Sequence, residues 1–463
     1  MHSYLIHEMF SLAAEKFYSR VAIDNAVKRA TYADLEAQSN RLANFLIDTG
    51  AVKGSMVAIV SADAINVITA MIATLKAGCV FIPLDPALPQ NRLESMISQV
   101  RPEWCIMESE FFDKVASVAR ACDLQVKAIC LDKPAALTTD KGLQHLSEFA
   151  DYSNTDKPKV ISGPDDMCYI YFTSGSTGKP KAIAGRLKSL AHFIDWEIRQ
   201  FDINKDSRVS QLTTPSFDAF LRDAFAPLCA GGTVCAPSAR ETVMIPTNLI
   251  DWVDIEQITV LHCVPSVFRS MLTVDLRPDY FSALRYVLMA GESLFPSDVK
   301  KWIEVFGDRI QLVNFYGPTE TTLIKMFYLV KQEDKERRSI PIGKPMEGAA
   351  AIVIDAQGRP CPPGVVGEIY IRTPYRTLGY YNQPELTNEV FIQNPFGKDP
   401  DDLIYKTGDL GRVQEDGNFE YLGRKDQQVK IRGVRVEITE IEDLLRRHPA
   451  IKDVVVVARV DTS

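Results

Sequence analysis

Residues 167–181 read MCYIYFTSGSTGKPK. MCYIYF, 167–172, is a short apolar run bounded by a Ser/Gly/Thr cluster, the pattern of a buried strand entering a loop. Gly175 and Gly178 permit a tight turn and close backbone approach to a ligand. The hydroxyls of Thr173, Ser174, Ser176 and Thr177, with the loop N–H groups, suit an anion-binding concavity, and Lys179 and Lys181 add positive charge. A plain Ser/Gly linker needs neither a buried strand before it nor two lysines. A Walker loop requires G-x-x-x-x-G-K-[ST]; here Thr173 stands where the first glycine belongs, and Pro180 follows Lys179. Pro180 donates no backbone hydrogen bond, although it could begin a helix. The stretch therefore reads as a phosphate loop of non-Walker type.

The same texture extends on either side. MVAIV (56–60), CVFIPL (79–84) and YVLMAG (286–291) are further short apolar runs, separated by amphipathic segments. Tyr32 to Leu46 carries Leu35, Leu42, Phe45 and Leu46 at helical spacing, with Thr31 as a plausible N-cap. Apolar runs interleaved with helices predict βα units and largely parallel sheets covered on both faces. Residues 137–164 and KQEDKERRS (331–339) lack apolar periodicity and read as loops, the second as a solvated charge run. Beyond Pro341 short strands with Gly and Pro turns predict a smaller β-rich subdomain, about 341–425. QVKIRGVRVEITEIEDLLRRHPAIKDVVVVARV reads strand, Gly turn, strand, helix, strand.

A length of 463 residues suits two to four domains at roughly 100–200 residues each. The balance of 46% apolar and 24% charged residues is that of a globular chain. A net charge of −8 without a basic run argues against a nucleic-acid surface. The 9 cysteines include no CxxC pair, so they signal no zinc or dithiol site and suit small buried thiols of a reducing cytoplasm. The start, MHSYLIHEMF, lacks the features of a secretory signal, and no apolar run reaches the ~18 residues of a membrane span.

TSGSTGKPK resembles the phosphate loop of the adenylate-forming (ANL) superfamily. TYADL (31–35), LKAGCVFIPLD (75–85), FDAF (217–220), AGG (230–232), NFYGPTE (314–320), GEIYI (367–371), YKTGDL (405–410) and GRKDQQVKIRGVRVEITEIE (423–442) resemble, in order, the adenylation domains of nonribosomal peptide synthetases. The resemblance implies an α/β fold: a large N-terminal domain (1–425) of two βα-layered subdomains and the β-rich subdomain, then an incomplete small α/β domain (426–463). It implies ATP and Mg²⁺ as cofactors and attack of an amino-acid carboxylate on the α-phosphate, with pyrophosphate leaving. Tyr316 would stack on adenine and Glu320 would hold Mg²⁺ with help from Thr173. Asp409 would accept the ribose hydroxyls, and Arg424 would approach ribose and phosphate. Gly291, Glu292, Asn314, Gly317 and Thr319 would complete the nucleotide site, with Lys181 assisting catalysis and Asp426 as hinge. A carrier-protein domain would receive the product, with a small helper protein as an optional partner.

The resemblance also implies a substrate pocket of Asp218, Ala219, Arg222, His262, Leu288, Ala290, Phe315, Leu323 and Ile324. Asp218 would receive the α-ammonium, favouring an amino acid over a fatty or aryl acid. Phe220 replaces the usual Ser of FDxS, a change of packing. A buried Arg needs a partner; if the substrate supplies it, Arg222 and His262 predict an acidic amino acid such as aspartate, β-methyl-aspartate or glutamate. Alternatively Asp218 and Arg222, four apart, pair with each other, Asp223 facing elsewhere, and the substrate is polar or aromatic. The family's Asn-Gly-Lys segment does not occur before Ser463, so the chain is expected to be a fragment that adenylates poorly by itself. A stand-alone acyl- or aryl-CoA ligase and a silent binding module are the competing functions.

Overall fold

The computed structural model describes residues 5–132, 142–175, 180–426, 428–431, 433–438, 441, 442, 445, 448, 451 and 454–458. Residues 176–179 of the phosphate loop and most of the helix expected after Glu437 lie outside the described residues. Two compact units emerge, one of residues 1–172 and 182–239, the other of residues 173–181 and 240–463.

The first unit carries the βα alternation expected of its apolar runs. Met56–Val60 lies between Val80–Leu84 and Trp104–Met107, all parallel, and the sheet continues through Val126–Cys130 to Leu143–His145. Met167–Thr173 joins its other side, parallel to Val80–Leu84, with Lys181–Arg186 beyond. Pro180 thus precedes a strand, not a helix. The central strands Met56–Val60, Val80–Leu84 and Trp104–Met107 are fully buried, as strands covered on both faces are, which is why their sequences run apolar without alternation. A second group pairs Arg208–Ser210, Thr233–Cys235 and Val21–Asp24 in parallel, with Arg29–Thr31 antiparallel at the margin. Helix Tyr32–Asp48 starts at Thr31, whose hydroxyl accepts from Asp34 N while Asp34 Oδ2 accepts from Thr31 N. This reciprocal capping fixes the helix start.

The second unit opens with three parallel strands, Val260–Cys263, Tyr286–Ala290 and Gln311–Tyr316, flanked by antiparallel Met326–Leu329 and Lys344–Pro345. The predicted β-rich segment is an antiparallel sheet of Ala350–Ile354, Gly367–Arg372, Leu403–Val413, Phe391–Gln393 and Phe419–Arg424. Val353, Ile369, Ile371 and Phe419 pack there with Tyr316 and Met326, so one apolar cluster ties this sheet to the parallel strands. Gln428–Ile431 and Val434–Glu437 form a hairpin of their own, and residues 454–458 form no strand.

Two loop expectations need correction. Residues 137–164 contain the strand Leu143–His145 and a short 3-10 turn, Ser147–Ala150. The charge run 331–339 is not merely solvated: Gln332–Glu336 is a 3-10 turn wound about Asp334, which is fully buried. Asp334 accepts from Tyr328 Oη at 3.0 Å and Lys331 N at 2.7 Å, and Arg337 Nε lies 2.5 Å away. Composition could not reveal one inward-facing carboxylate among eight polar neighbours.

Candidate active site

The segment after Gln311–Tyr316 is bent sharply. Gly317 is required there, since a Cβ would sit 2.0 Å from the Leu323 carbonyl oxygen. Thr319–Thr321 forms one 3-10 turn, and Thr322 and Leu323 follow with φ of 68° and 57°. Two successive left-handed non-glycine residues are costly, and such strain clusters at functional sites. Lys325 braces the bend, its buried Nζ donating to the carbonyls of Thr322 (2.5 Å) and Ile324 (3.0 Å).

The bend buries Glu320 completely. Its Oε1 accepts from Tyr380 Oη at 2.9 Å and from Arg435 Nη1 at 2.8 Å. Its backbone carbonyl accepts from Thr377 Oγ1 at 2.6 Å. Burial pushes the carboxyl pKa up, but the Arg435 charge, a backbone N–H and the Tyr380 and Arg435 hydrogen bonds outweigh it and hold the pKa below the usual value. Among the described residues, Glu320 Oε2 and Thr173 Oγ1 are buried oxygens without a hydrogen-bond partner. Such atoms ask for a ligand. A hard carboxylate oxygen such as Glu320 Oε2 suits Mg²⁺, which takes one or two carboxylates and fills its shell with water and phosphate oxygens. No cluster of three or more His, Cys, Asp or Glu able to hold a metal occurs among the described residues. Lys181 Nζ lies 5.7 Å from the Tyr380 ring centroid. Burial and the Arg435 charge lower its pKa against the opposing pull of Glu437, Glu320 and Asp426.

Asp409 lies on the strand Leu403–Val413, opposite Arg424 in register. Arg424 Nη1 donates to Asp409 Oδ1 at 2.9 Å and to Thr407 O at 2.6 Å, and Nη2 reaches Asp426 Oδ2 at 2.6 Å. Asp426 also accepts from Gln428 N at 3.1 Å. Tyr316 Oη donates to Asp409 Oδ2. Tyr316, Asp409, Arg424 and Asp426 therefore come together as one network. Glu292 bridges Ser266 N (2.8 Å) and Gly433 N (2.7 Å) beside Gly291, whose φ is +94°. Asn314 is occupied structurally, its Nδ2 donating to Pro341 O at 2.8 Å. Thr319 opens the 3-10 turn. Ser174 and Gly175 are buried just beyond the strand end; Ser176, Thr177, Gly178 and Lys179 lie outside the described residues.

The expected substrate residues divide between the units. In the second, His262 pairs in register with Leu288, and Ala290 with Phe315, so the four share one sheet face. Leu323 and Ile324 are buried on the strained bend. In the first, half-buried Asp218 and Ala219 lie in the turn before helix Phe220–Ala230, and Phe220 is fully buried in the core. Arg222 is 2% exposed. Its Nη1 lies 3.9 Å from Glu197 Oε1 and its Nε 3.8 Å from Asp223 Oδ1. Adjacent Asp223 was not expected to face it; the long arginine side chain closes the angle between neighbouring helical positions. Asp223 also accepts from Thr213 N at 3.2 Å. Burial, then Asp218, Tyr169, Cys168 and Asp223, push the nearby Tyr171 hydroxyl well above its ordinary pKa.

Residues 10–381 match the profile of AMP-binding enzymes. The chain belongs to that family. It is 34% identical over 458 residues to a linear gramicidin synthase of Brevibacillus parabrevis, covering 98% of this chain and 6% of that protein. It is 33% identical to a dimodular nonribosomal peptide synthase of Bacillus subtilis, covering 98% of this chain and 18% of the relative. The AMP-binding chain thus spans a small part of these relatives' length. An artificially fused adenylation–PCP di-domain, NpsA-ThdA of Klebsiella oxytoca, superposes with a TM-score of 0.82 at 25% identity, over 98% of this chain and 85% of that one. The α-methyl-L-serine-AMP-bound form of the synthetase FmoA3 superposes with a TM-score of 0.78 at 26% identity, over 95% and 46%. These likenesses set the AMP-binding chain among adenylation domains of the peptide synthetase type.

Sequence reasoning missed Arg435, Tyr380, Lys325 and Glu197. Arg435 sits inside a quoted motif and carried a signal, a lone cation in a short strand. Tyr380, Lys325 and Glu197 carried none, because each acts through a contact distant in sequence or through a backbone bend.

Proposed function

We propose that this chain activates an amino acid by adenylation: a carboxylate oxygen of the substrate attacks the α-phosphorus of Mg-ATP, the bond to the β-phosphate oxygen breaks, and pyrophosphate leaves. The observation that carries the reading is the fully buried Glu320 whose Oε2 has no hydrogen-bond partner, in a family that binds AMP. Glu320 and Thr173 would hold Mg²⁺, which neutralises phosphate charge when bound. Tyr316, with the backbone at Gly291, would take the adenine. Asp409 would take the ribose, and Arg424 the ribose and phosphate. The loop from Thr173 to Lys181 would take the phosphates. This chemistry asks the protein for position and charge rather than for a nucleophile. A phosphopantetheine-bearing carrier domain would receive the acyl group, and residues 426–463 would begin a small domain hinged at Asp426.

Asp218 would receive the substrate ammonium. For the side chain, Arg222 and His262 support an acidic amino acid, the guanidinium offering bidentate recognition of a carboxylate. A second reading, a polar or aromatic substrate, has its own support: buried Glu197 and Asp223 already flank Arg222, and a third carboxylate would be repelled. Calorimetry with aspartyl, glutamyl, leucyl and tyrosyl sulfamoyl-adenosines separates the two. Acidic analogues winning by about tenfold or more, an advantage lost in Arg222→Ala, supports the first; this corresponds to ~1.4 kcal/mol. A neutral analogue winning makes Arg222 a structural partner of Glu197. Failure of every analogue to bind sinks the adenylation reading.

A further inference from the structure

In the first unit, Tyr171 stands on the strand Met167–Thr173, two residues after Tyr169 and therefore on the same face. The two rings meet edge to face, their centroids 5.3 Å apart. Gly185, on the neighbouring strand Lys181–Arg186, makes room for the first ring: a Cβ there would lie 1.9 Å from Tyr169 Cζ. Tyr171 is thus backed by a ring that is itself seated against main chain, and it is 1% exposed. Among the described residues its hydroxyl has no hydrogen-bond partner. A phenol so deeply enclosed normally finds one, because a hydroxyl taken out of water without a partner is costly. The unpartnered oxygen points to a ligand.

Its surroundings favour a cation. After burial, the Asp218 carboxylate acts on the hydroxyl most strongly, ahead of Tyr169, Cys168 and Asp223, and together they push its pKa well up. The phenol therefore stays neutral, able to accept as well as to donate. Asp218 is set by the main chain around it, Phe217 N donating to Thr214 O at 3.1 Å and Leu221 N to Asp218 O at 2.9 Å. A carboxylate brought to the Tyr171 hydroxyl would meet the Asp218 charge and be repelled. A neutral amide or hydroxyl would bond to the phenol and leave that charge uncompensated. An ammonium answers both, with three N–H donors, no acceptor and the opposite charge.

We propose that Tyr171 is a further acceptor for the substrate's α-ammonium: its hydroxyl oxygen takes one N–H while Asp218 supplies the countercharge. The inference rests on the adenylation reading, which brings an amino acid to Asp218. Tyr171 then sharpens the choice of an amino acid over the acid of the same shape that lacks the amine. Two acceptors at fixed places also orient the Cα–N bond, and with it the carboxylate to be activated.

The test compares aspartyl, glutamyl, leucyl and tyrosyl sulfamoyl-adenosines with the same compounds in which hydrogen replaces the α-amino group. Calorimetry is run on the parent chain and on Tyr171→Phe. For the aminoacyl form that binds tightest, Tyr171→Phe is expected to lose about tenfold, the size of a hydrogen bond to a charged group. Its desamino partner should change by no more than about twofold, so the parent's preference for the amine falls with the hydroxyl. The free variant should melt no lower than the parent, since no internal hydrogen bond is lost. Equal affinity of both proteins for the aminoacyl form overturns the inference, as do equal losses on the amino and desamino forms; either leaves the adenylation reading standing. A lower melting temperature with an unchanged preference for the amine assigns the hydroxyl to the core and overturns it too. Should Tyr171→Phe fail to fold, Tyr171→Ile, a residue at home in a strand, takes its place and the same preference is read. If no sulfamoyl-adenosine binds the parent chain, the adenylation reading falls and the inference with it.

Discussion

Tyr316 donates its hydroxyl to Asp409 Oδ2, joining the last residue of a parallel-sheet strand to the long antiparallel strand Leu403–Val413. The bond explains why the tyrosine hydroxyl is pushed well above its ordinary pKa, burial first and the Asp409 charge second. It also means that Asp409 is already held on both oxygens, by Tyr316 and by Arg424. Tyr316→Phe is expected to lower stability by roughly 1.5–3 kcal/mol, the range for a hydrogen bond to a charged group. It keeps the ring and leaves Oδ2 able to accept from a ribose, so nucleotide affinity should stay within a few-fold. Asp409→Ala should cost both stability and nucleotide binding. Denaturant melts and analogue calorimetry on the two variants check the split; loss of nucleotide binding in Tyr316→Phe would assign recognition to the hydroxyl.

Gly317 has no room for a side chain. Its Cβ would lie 2.0 Å from Leu323 O, and the two residues flank Glu320 at three positions on either side, on a bend already strained at Thr322 and Leu323. A flexible tip could move aside; a carbonyl on a strained turn cannot without carrying Glu320 with it. Gly317→Ala is expected to cost at least the roughly 1–3 kcal/mol of ordinary overpacking. Mg²⁺-dependent nucleotide binding should fall with it. A variant of unchanged melting temperature and unchanged Mg²⁺ dependence would show the bend to be slack.

What the sequence disclosed follows from how each signal is encoded. MVAIV, MCYIYF and YVLMAG were legible as parallel strands because burial on both faces leaves an unbroken apolar run. Thr31 and Asp34 disclosed a helix start because capping is local. The site was legible as motifs, not as geometry. Tyr316 and Asp409 were each singled out, but their bond spans 93 positions and no local pattern encodes it. Arg222 was recognised as needing a partner, while Glu197, one turn from the end of another helix, gave no hint of being near it. The bend at Thr322 and Leu323 is set by what surrounds it, since neither residue prefers positive φ.

Asp334 is the inward-facing carboxylate of the charge run 331–339. Its carboxylate is fully buried, takes hydrogen bonds from Tyr328 and Lys331 N, and meets Arg337 Nε at 2.5 Å. An exposed acidic residue would tolerate alanine within about 0.5 kcal/mol. Asp334→Ala instead strands the Tyr328 hydroxyl and the arginine, and a loss on the order of 3 kcal/mol is expected. Glu333→Ala, one residue earlier and exposed, is the matched control. Equal melting temperatures for the two variants would return the segment to a plain surface loop.

Lys76 offers a pH test of the first unit. Its Nζ is buried and donates to Glu36 Oε2 (2.6 Å), Ser39 Oγ (2.9 Å) and Asn40 Oδ1 (2.7 Å). Burial outweighs the attraction of Glu36 and lowers its pKa from 10.5 to about 8. The folded state therefore releases this proton more readily than the unfolded chain, which binds more protons between pH 8 and 10.5. Stability must rise with pH across that window. The burial penalty is fully present below about pH 8 and is relieved as the lysine deprotonates, by up to roughly 3 kcal/mol. Lys76→Met lacks the titrating group but keeps the apolar stem. The stability of the parent chain relative to Lys76→Met should accordingly climb from about pH 8 to about pH 10, other groups cancelling in the difference. A flat difference across that range would mean that the three acceptors hold the ammonium at its ordinary basicity.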